Sequence, residues 1–125
     1  MRRVELKEGL GKHEVFLHAQ FLGKDLAVNI GGGEVPHIGA VALASPRLSI
    51  SGDGSNSASC SVICITGHKE DELARKVALE LSTKLQCYVT VTCGIHIDEA
   101  TLEDLKILGV HTDTLVEKFL TKITS

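Results

Sequence analysis

A chain of 125 residues is the size of one domain, and the sequence reads as a single unit over residues 1–125. With 13 Lys and Arg against 16 Asp and Glu, the net charge of −3 argues against the clustered basic face that nucleic acid or an anionic membrane demands. Aromatic residues are only 3% with no Trp, too few for a base-stacking platform, and no apolar run approaches the ~20 residues of a membrane span. The opening Met1-Arg2-Arg3-Val4-Glu5 lacks the apolar stretch of a signal peptide, so a cytoplasmic location is expected. Cys60, Cys64, Cys87 and Cys93 show no CxxC or zinc-ribbon spacing and lie in or beside apolar runs, as reduced core thiols do.

The first two-thirds of the chain reads as strands. Val4 and Leu6 alternate with charged residues, and Val15, Leu17, Ala19 and Phe21 keep a period of two through residues 13–22. Gly23-Lys24-Asp25 is a hairpin turn, and Leu26 to Ile30 a third strand. The segment Gly31-Gly32-Gly33-Glu34-Val35-Pro36 is predicted to leave the strand. Residues 39–45 form a short apolar strand that Pro46 ends, and Ser51 to Asn56 is a loop. Residues 57–66 are a strand in which Ile63 and Ile65 suggest burial on both faces.

Then the period changes. Leu73, Val77, Leu81 and Leu85 stand four apart, with Ala74 and Ala78 beside them, and predict a helix over 69–85. Its acidic first turn, Glu70, Asp71 and Glu72, complements the helix dipole. A strong strand follows over 88–97, with Val89, Val91 and Cys93 pointing inward. Thr101 is placed to cap a further helix, with Asp104 as its capping-box partner. Gly109 is expected to break that helix, and Thr112 to cap a terminal piece carrying Leu115, Val116, Phe119, Leu120 and Ile123. Several strands with two late helices predict an α+β domain: an antiparallel or mixed sheet with helices on one face.

Three segments hold residues that packing alone does not require. The first is Gly31-Gly32-Gly33-Glu34-Val35-Pro36-His37-Ile38-Gly39, either a binding loop or a wide bulge between strands. It is neither a phosphate-binding Walker motif nor a dinucleotide fingerprint. The second, Thr66-Gly67-His68-Lys69, precedes a helix, where free N–H groups attract phosphate or carboxylate; a plain strand-to-helix turn explains it equally well. The third is Gly94-Ile95-His96-Ile97-Asp98, in which Asp98 either caps the next helix or orients His96. If these strand ends adjoin, His37, His68 and His96 share one cleft. A zinc site built on the three histidines lacks the usual ligand spacing, so no metal is assigned. Glu34 and Asp98 are acid–base candidates with bland alternatives. No nucleophile elbow is present. His13, His18 and His111 read as surface or structural residues.

These segments carry a resemblance. Residues 31–46 (GGGEVPHIGAVALASP), 67–82 (GHKEDELARKVALELS) and 91–105 (VTCGIHIDEATLEDL) resemble the small D subunit of UbiD-type hydroxyarylic acid decarboxylases of the gallate kind, described as LpdD-like prenylated-flavin chaperones. The likeness spans roughly residues 10–120. It implies a fold similar to small proteasome-assembly chaperones and a homodimer. It also implies a non-catalytic accessory role beside a large subunit that holds prenylated flavin mononucleotide (FMN) and performs the decarboxylation.

The expected site follows. Gly67, His68 and Lys69 hold the phosphate of prenylated FMN or FMN, and Gly31, Gly32 and Gly33 let the ring or ribityl chain approach. His37 and His96 meet its polar edge beside Gly94, and Asp98 orients His96. Two other readings stay open: an interaction module with no small ligand, and a small metal-dependent enzyme using the three histidines.

Overall fold

The computed structural model describes residues 2–65 and 70–124. Six strands, β1 (Arg3–Glu8), β2 (Val15–Leu22), β3 (Asp25–Gly33), β4 (Ala40–Leu48), β5 (Asn56–Cys64) and β6 (Val89–His96), form one sheet in the order β1-β2-β3-β6-β4-β5. Two helices, α1 (Glu70–Leu85) and α2 (Leu102–Thr124), complete the α+β fold. The sheet is mixed: β6 runs parallel to β3 and antiparallel to β4, and the other pairs are antiparallel.

Alternation in the strands explains why both helices lie on one face. Val15, Leu17 and Ala19 of β2, Leu26, Val28 and Ile30 of β3, and Val89, Val91 and Cys93 of β6 are all buried. On β4 the inward residues are Ala40, Ala42 and Ala44, whose small side chains let α1 approach closely with Ala74, Ala78 and Leu81. The other helix on this face, α2, covers β1 and β2 with Leu115, Val116 and Phe119.

Several expectations are corrected. Helix α2 runs unbroken through Gly109, and Thr112 is not a cap: it is buried in the helix, its hydroxyl donating to the Leu108 carbonyl at 2.8 Å. Strand β4 continues past Pro46 to Leu48. Beyond Ala44 it pairs only with β5, and a proline is tolerated where the ladder is one-sided. Ile63 and Ile65 are exposed, because β5 is an edge strand and the far face of the sheet carries no helix. Cys87 and Cys93 are buried thiols as expected, but Cys60 is half-buried and Cys64 exposed.

The capping box forms as predicted. The Asp104 N–H donates to Thr101 Oγ1 and the Thr101 N–H to Asp104 Oδ2, each at 3.0 Å. Asp104 also meets His13 Nε2 at 2.7 Å, and His111 Nδ1 lies 2.8 Å from the His13 carbonyl. The bond from the Thr101 backbone, then that to His13, holds the Asp104 carboxyl far below the usual carboxylate range. A depressed folded-state pKa contributes stability that is complete above the unfolded value of ~3.9 and fades as pH falls below it. Asp104→Asn is therefore expected to melt below the wild type at pH 7. The gap should narrow between about pH 4 and pH 2. Thermal melts across that range check this, and a pH-independent gap would contradict it.

Candidate functional site

The two central parallel strands end together, Gly33 of β3 beside His96 of β6. The chain then turns back across these ends. Glu34 N–H donates to the His96 carbonyl at 2.7 Å, and Gly39 N–H to the Cys93 carbonyl at 2.9 Å. Residues 34–39 thus lie clasped over the end of β6.

Glycines make this clasp possible. A side chain on Gly94 would overlap the carbonyl of His37, so the loop can seat only on bare backbone. Gly33 has φ +74° and its Cβ position runs into the His96 backbone, a conformation and a clearance that both select glycine. A Cβ on Gly39 would stand 2.9 Å from the Glu70 carboxyl carbon.

The expectation that residues 31–36 all leave the strand is corrected, since Gly31, Gly32 and Gly33 belong to β3 and pair with Gly94, Ile95 and His96. The space beside Gly31 is filled by the Phe16 ring, which gives that glycine a packing reason.

The clasp brings two imidazoles together. The rings of His37 and His96 lie 6.1 Å apart, edge to face. Each has a carboxylate: His37 Nε2 is 3.3 Å from Glu70 Oε1, and His96 Nε2 is 2.8 Å from Asp98 Oδ1. Asp98 is itself fixed, its N–H donating to Glu34 Oε1 at 2.9 Å. The Asp98 carboxylate thus stands against His96 and does not cap α2, which starts at Leu102. Glu70, the first residue of α1, is buried, which sequence reasoning missed by treating it as a dipole complement. Under the site, burial and then the Glu70 charge push the Cys93 thiol up to about 12, so it stays protonated at neutral pH. Among the described residues no group of three or more His, Cys, Asp or Glu is placed to hold a metal ion.

Beside His96 and Glu70 opens a cavity of about 550 Å³ between α1 and α2. Leu73, Ile95, Ile97, Leu105 and Leu108 give it apolar walls, and Glu70, Glu72, Lys76 and His96 are its polar and charged groups. The size suits a small organic ligand. No sequence motif announced it, because its walls come from helix stripes that look like ordinary core. Gly67, His68 and Lys69 lie outside the described residues; His37 and His96 stand side by side, and of these two His96 lines the cavity. Glu70 follows directly after Lys69.

A family model described as a prenylated flavin chaperone LpdD-like domain matches residues 9–124. Comparison with curated proteins finds no match. Among solved structures, a yeast chaperone complex for 20S proteasome assembly superposes with a TM-score of 0.53 at 13% identity, covering 93% of this chain and 99% of the other. That likeness shows the fold. No helix among the described residues is long and apolar enough to cross a membrane.

Proposed function

We propose a function for this chain, which belongs to the prenylated flavin chaperone LpdD-like family: it binds prenylated FMN or FMN and hands it to the large subunit of a UbiD-type decarboxylase. The chain itself is not the catalyst. The cofactor's chemistry, decarboxylation of hydroxyarylic acids, takes place on the large subunit.

The observation that carries this reading is the pair of carboxylate-braced imidazoles, His37–Glu70 and His96–Asp98, beside an apolar cavity. A flavin has the same two-sided character, with a flat apolar ring system and an edge of amide donors and acceptors. The donor set fits that edge, since imidazole N–H groups donate to ring carbonyls and carboxylates accept from a ring N–H. The phosphate belongs elsewhere, because Glu70 and Glu72 line this cavity and Asp98, with Glu34 beside it, stands at His96, outnumbering Lys76, the one lining cation among the described residues. Gly67, His68 and Lys69, just before α1, are its proposed seat, with the helix start supplying N–H donors. Gly31, Gly32 and Gly33 support the site by letting β3 and β6 end side by side.

A second copy and the decarboxylase both need a contact surface. The helix-free face of the sheet offers one, with Val41, Leu43 and Ile63 exposed on β4 and β5. Homodimer formation and a cytoplasmic setting complete the proposal.

Titration calorimetry with FMN tests it. The wild type should bind, inorganic phosphate should compete, and Lys69→Ala should weaken binding about tenfold, as expected when a charge-assisted hydrogen bond of ~1.5 kcal/mol is lost. No heat with FMN or prenylated FMN would overturn the reading. Pull-down of the large subunit that survives His37→Ala with Lys69→Ala, and is indifferent to flavin, would favour an interaction module instead.

A further inference from the structure

Gly109 sits well inside α2, where glycine is among the poorest helix formers. Packing usually explains such a residue: another element comes too close for a side chain. Here that explanation fails, since a Cβ at Gly109 would meet nothing within 4 Å. The space beside it belongs to a cavity. Gly109 is half-buried and lines the cavity between α1 and α2. A helix-weakening residue with no packing reason therefore keeps one wall of the cavity low.

The cavity's walls are chemically sorted. Leu73, Ile97, Leu105 and Leu108 present hydrocarbon, whereas Glu70 and His96 stand where the cavity meets the histidine pair. Lys76, another lining residue, reaches across to Asp113 of α2 at 2.8 Å, so the two helices are tied over the groove. The carboxylates near His96 disfavour entry of a phosphate at that end. The ligand that suits these walls is mostly apolar and uncharged, with an amide-like edge: one N–H for a carboxylate and carbonyl oxygens for an imidazole.

We infer that the interhelical cavity seats the flat heteroaromatic ring of the ligand, and that Gly109 is the specificity-determining residue that leaves room for it. The ring enters between α1 and α2, its polar edge meets Glu70 and His96, and its phosphate chain stays outside. This rests on the flavin-binding reading, although the cavity's selectivity for a flat ring can be measured without it.

The experiment titrates wild type, Gly109→Ala and Gly109→Leu with FMN and with lumichrome, the flavin ring system without its ribityl phosphate, following ligand fluorescence. Circular dichroism and thermal melts accompany each variant. Both substitutions improve helix propensity, so melting temperatures should equal or exceed that of wild type. Gly109→Leu should nevertheless weaken both ligands at least tenfold, and Gly109→Ala severalfold. Equal binding of FMN by wild type and both folded variants would overturn the inference while leaving the flavin-binding reading intact. Lumichrome binding that Gly109→Leu abolishes, with no binding of FMN or prenylated FMN to wild type, would keep the ring seat and overturn the flavin reading. If Gly109→Leu fails to fold, the alanine variant, which adds one methyl group to open space, decides.

Discussion

Gly94→Ala is expected to abolish flavin binding and to destabilise the fold by about 1–3 kcal/mol, the usual range for forcing an extra methyl group into filled space. The added Cβ would land on the carbonyl oxygen of His37 and 3.1 Å from the Gly39 nitrogen. Both obstacles are backbone, so no rotamer change relieves them. The loop of residues 34–39 must lift, breaking the bonds from His37 N–H to the Gly94 carbonyl and from Gly39 N–H to the Cys93 carbonyl. His37 then leaves Glu70 and His96. Calorimetry with FMN and a thermal melt measure the two effects. For a chain of this size the drop should be roughly 3–5 °C per kcal/mol. Wild-type affinity and melting temperature in Gly94→Ala would show that the clasp does not position the site.

Phe119→Ala is expected to have the largest effect on stability alone, about 3–5 kcal/mol. The ring is fully buried and stacks on Phe21, with centroids 6.5 Å apart. Truncation leaves a cavity between α2 and the sheet that neither rigid element can fill. That is a large share of the ~5–15 kcal/mol that holds a domain together. Phe21 pairs with Leu26 at the start of β3, whereas the histidine site lies at the strand's other end, beside Gly33. Phe119→Ala should therefore lower the denaturation midpoint strongly yet leave FMN affinity unchanged at temperatures where the variant is folded. A loss of affinity in the folded variant would show that the two ends of the sheet are coupled.

Much of this fold was legible in local patterns. The alternation of Val15, Leu17 and Ala19 marked the buried face of β2, and the spacing of Leu73, Val77 and Leu81 marked α1 as far as its end at Leu85, the expected start at Lys69 lying outside the described residues. The Thr101–Asp104 capping box was readable because both partners lie within one turn. Failures arose where tertiary context overrode local preference. Gly31 to Gly33 look like a strand breaker, yet all three stay paired with β6, Gly33 doing so at φ +74°. Gly109 looks like a helix stop, yet packing on either side of it, at Leu108 and Thr112, carries α2 through. Ile63 and Ile65 look like core because hydrophobicity does not say which face of a sheet is covered. In the site, the proximity of His37 and His96 was foreseen from their glycine neighbours. The part played by Glu70 was not, because its buried carboxyl lies against Gly39, thirty-one positions away in sequence.

The placement of β6 bears on how the chain assembles. Strands β1 to β3 can form as a meander and β4 with β5 as a hairpin, each from neighbouring sequence. Among the described residues, these two halves are joined in the sheet by β6, which pairs with β3 on one side and β4 on the other. Its partner residues on β3 are 63 positions earlier in the chain, as in Leu26 with Val89, so the entropy of closing a long loop must be met before the seam exists. His37, Glu70 and His96 come from β6 and the segments that flank it in space, and they gather at this seam. The site thus forms only once this long-range pairing is made. On the proposed reading, a ligand bound there would add its binding free energy to the stability of the folded chain.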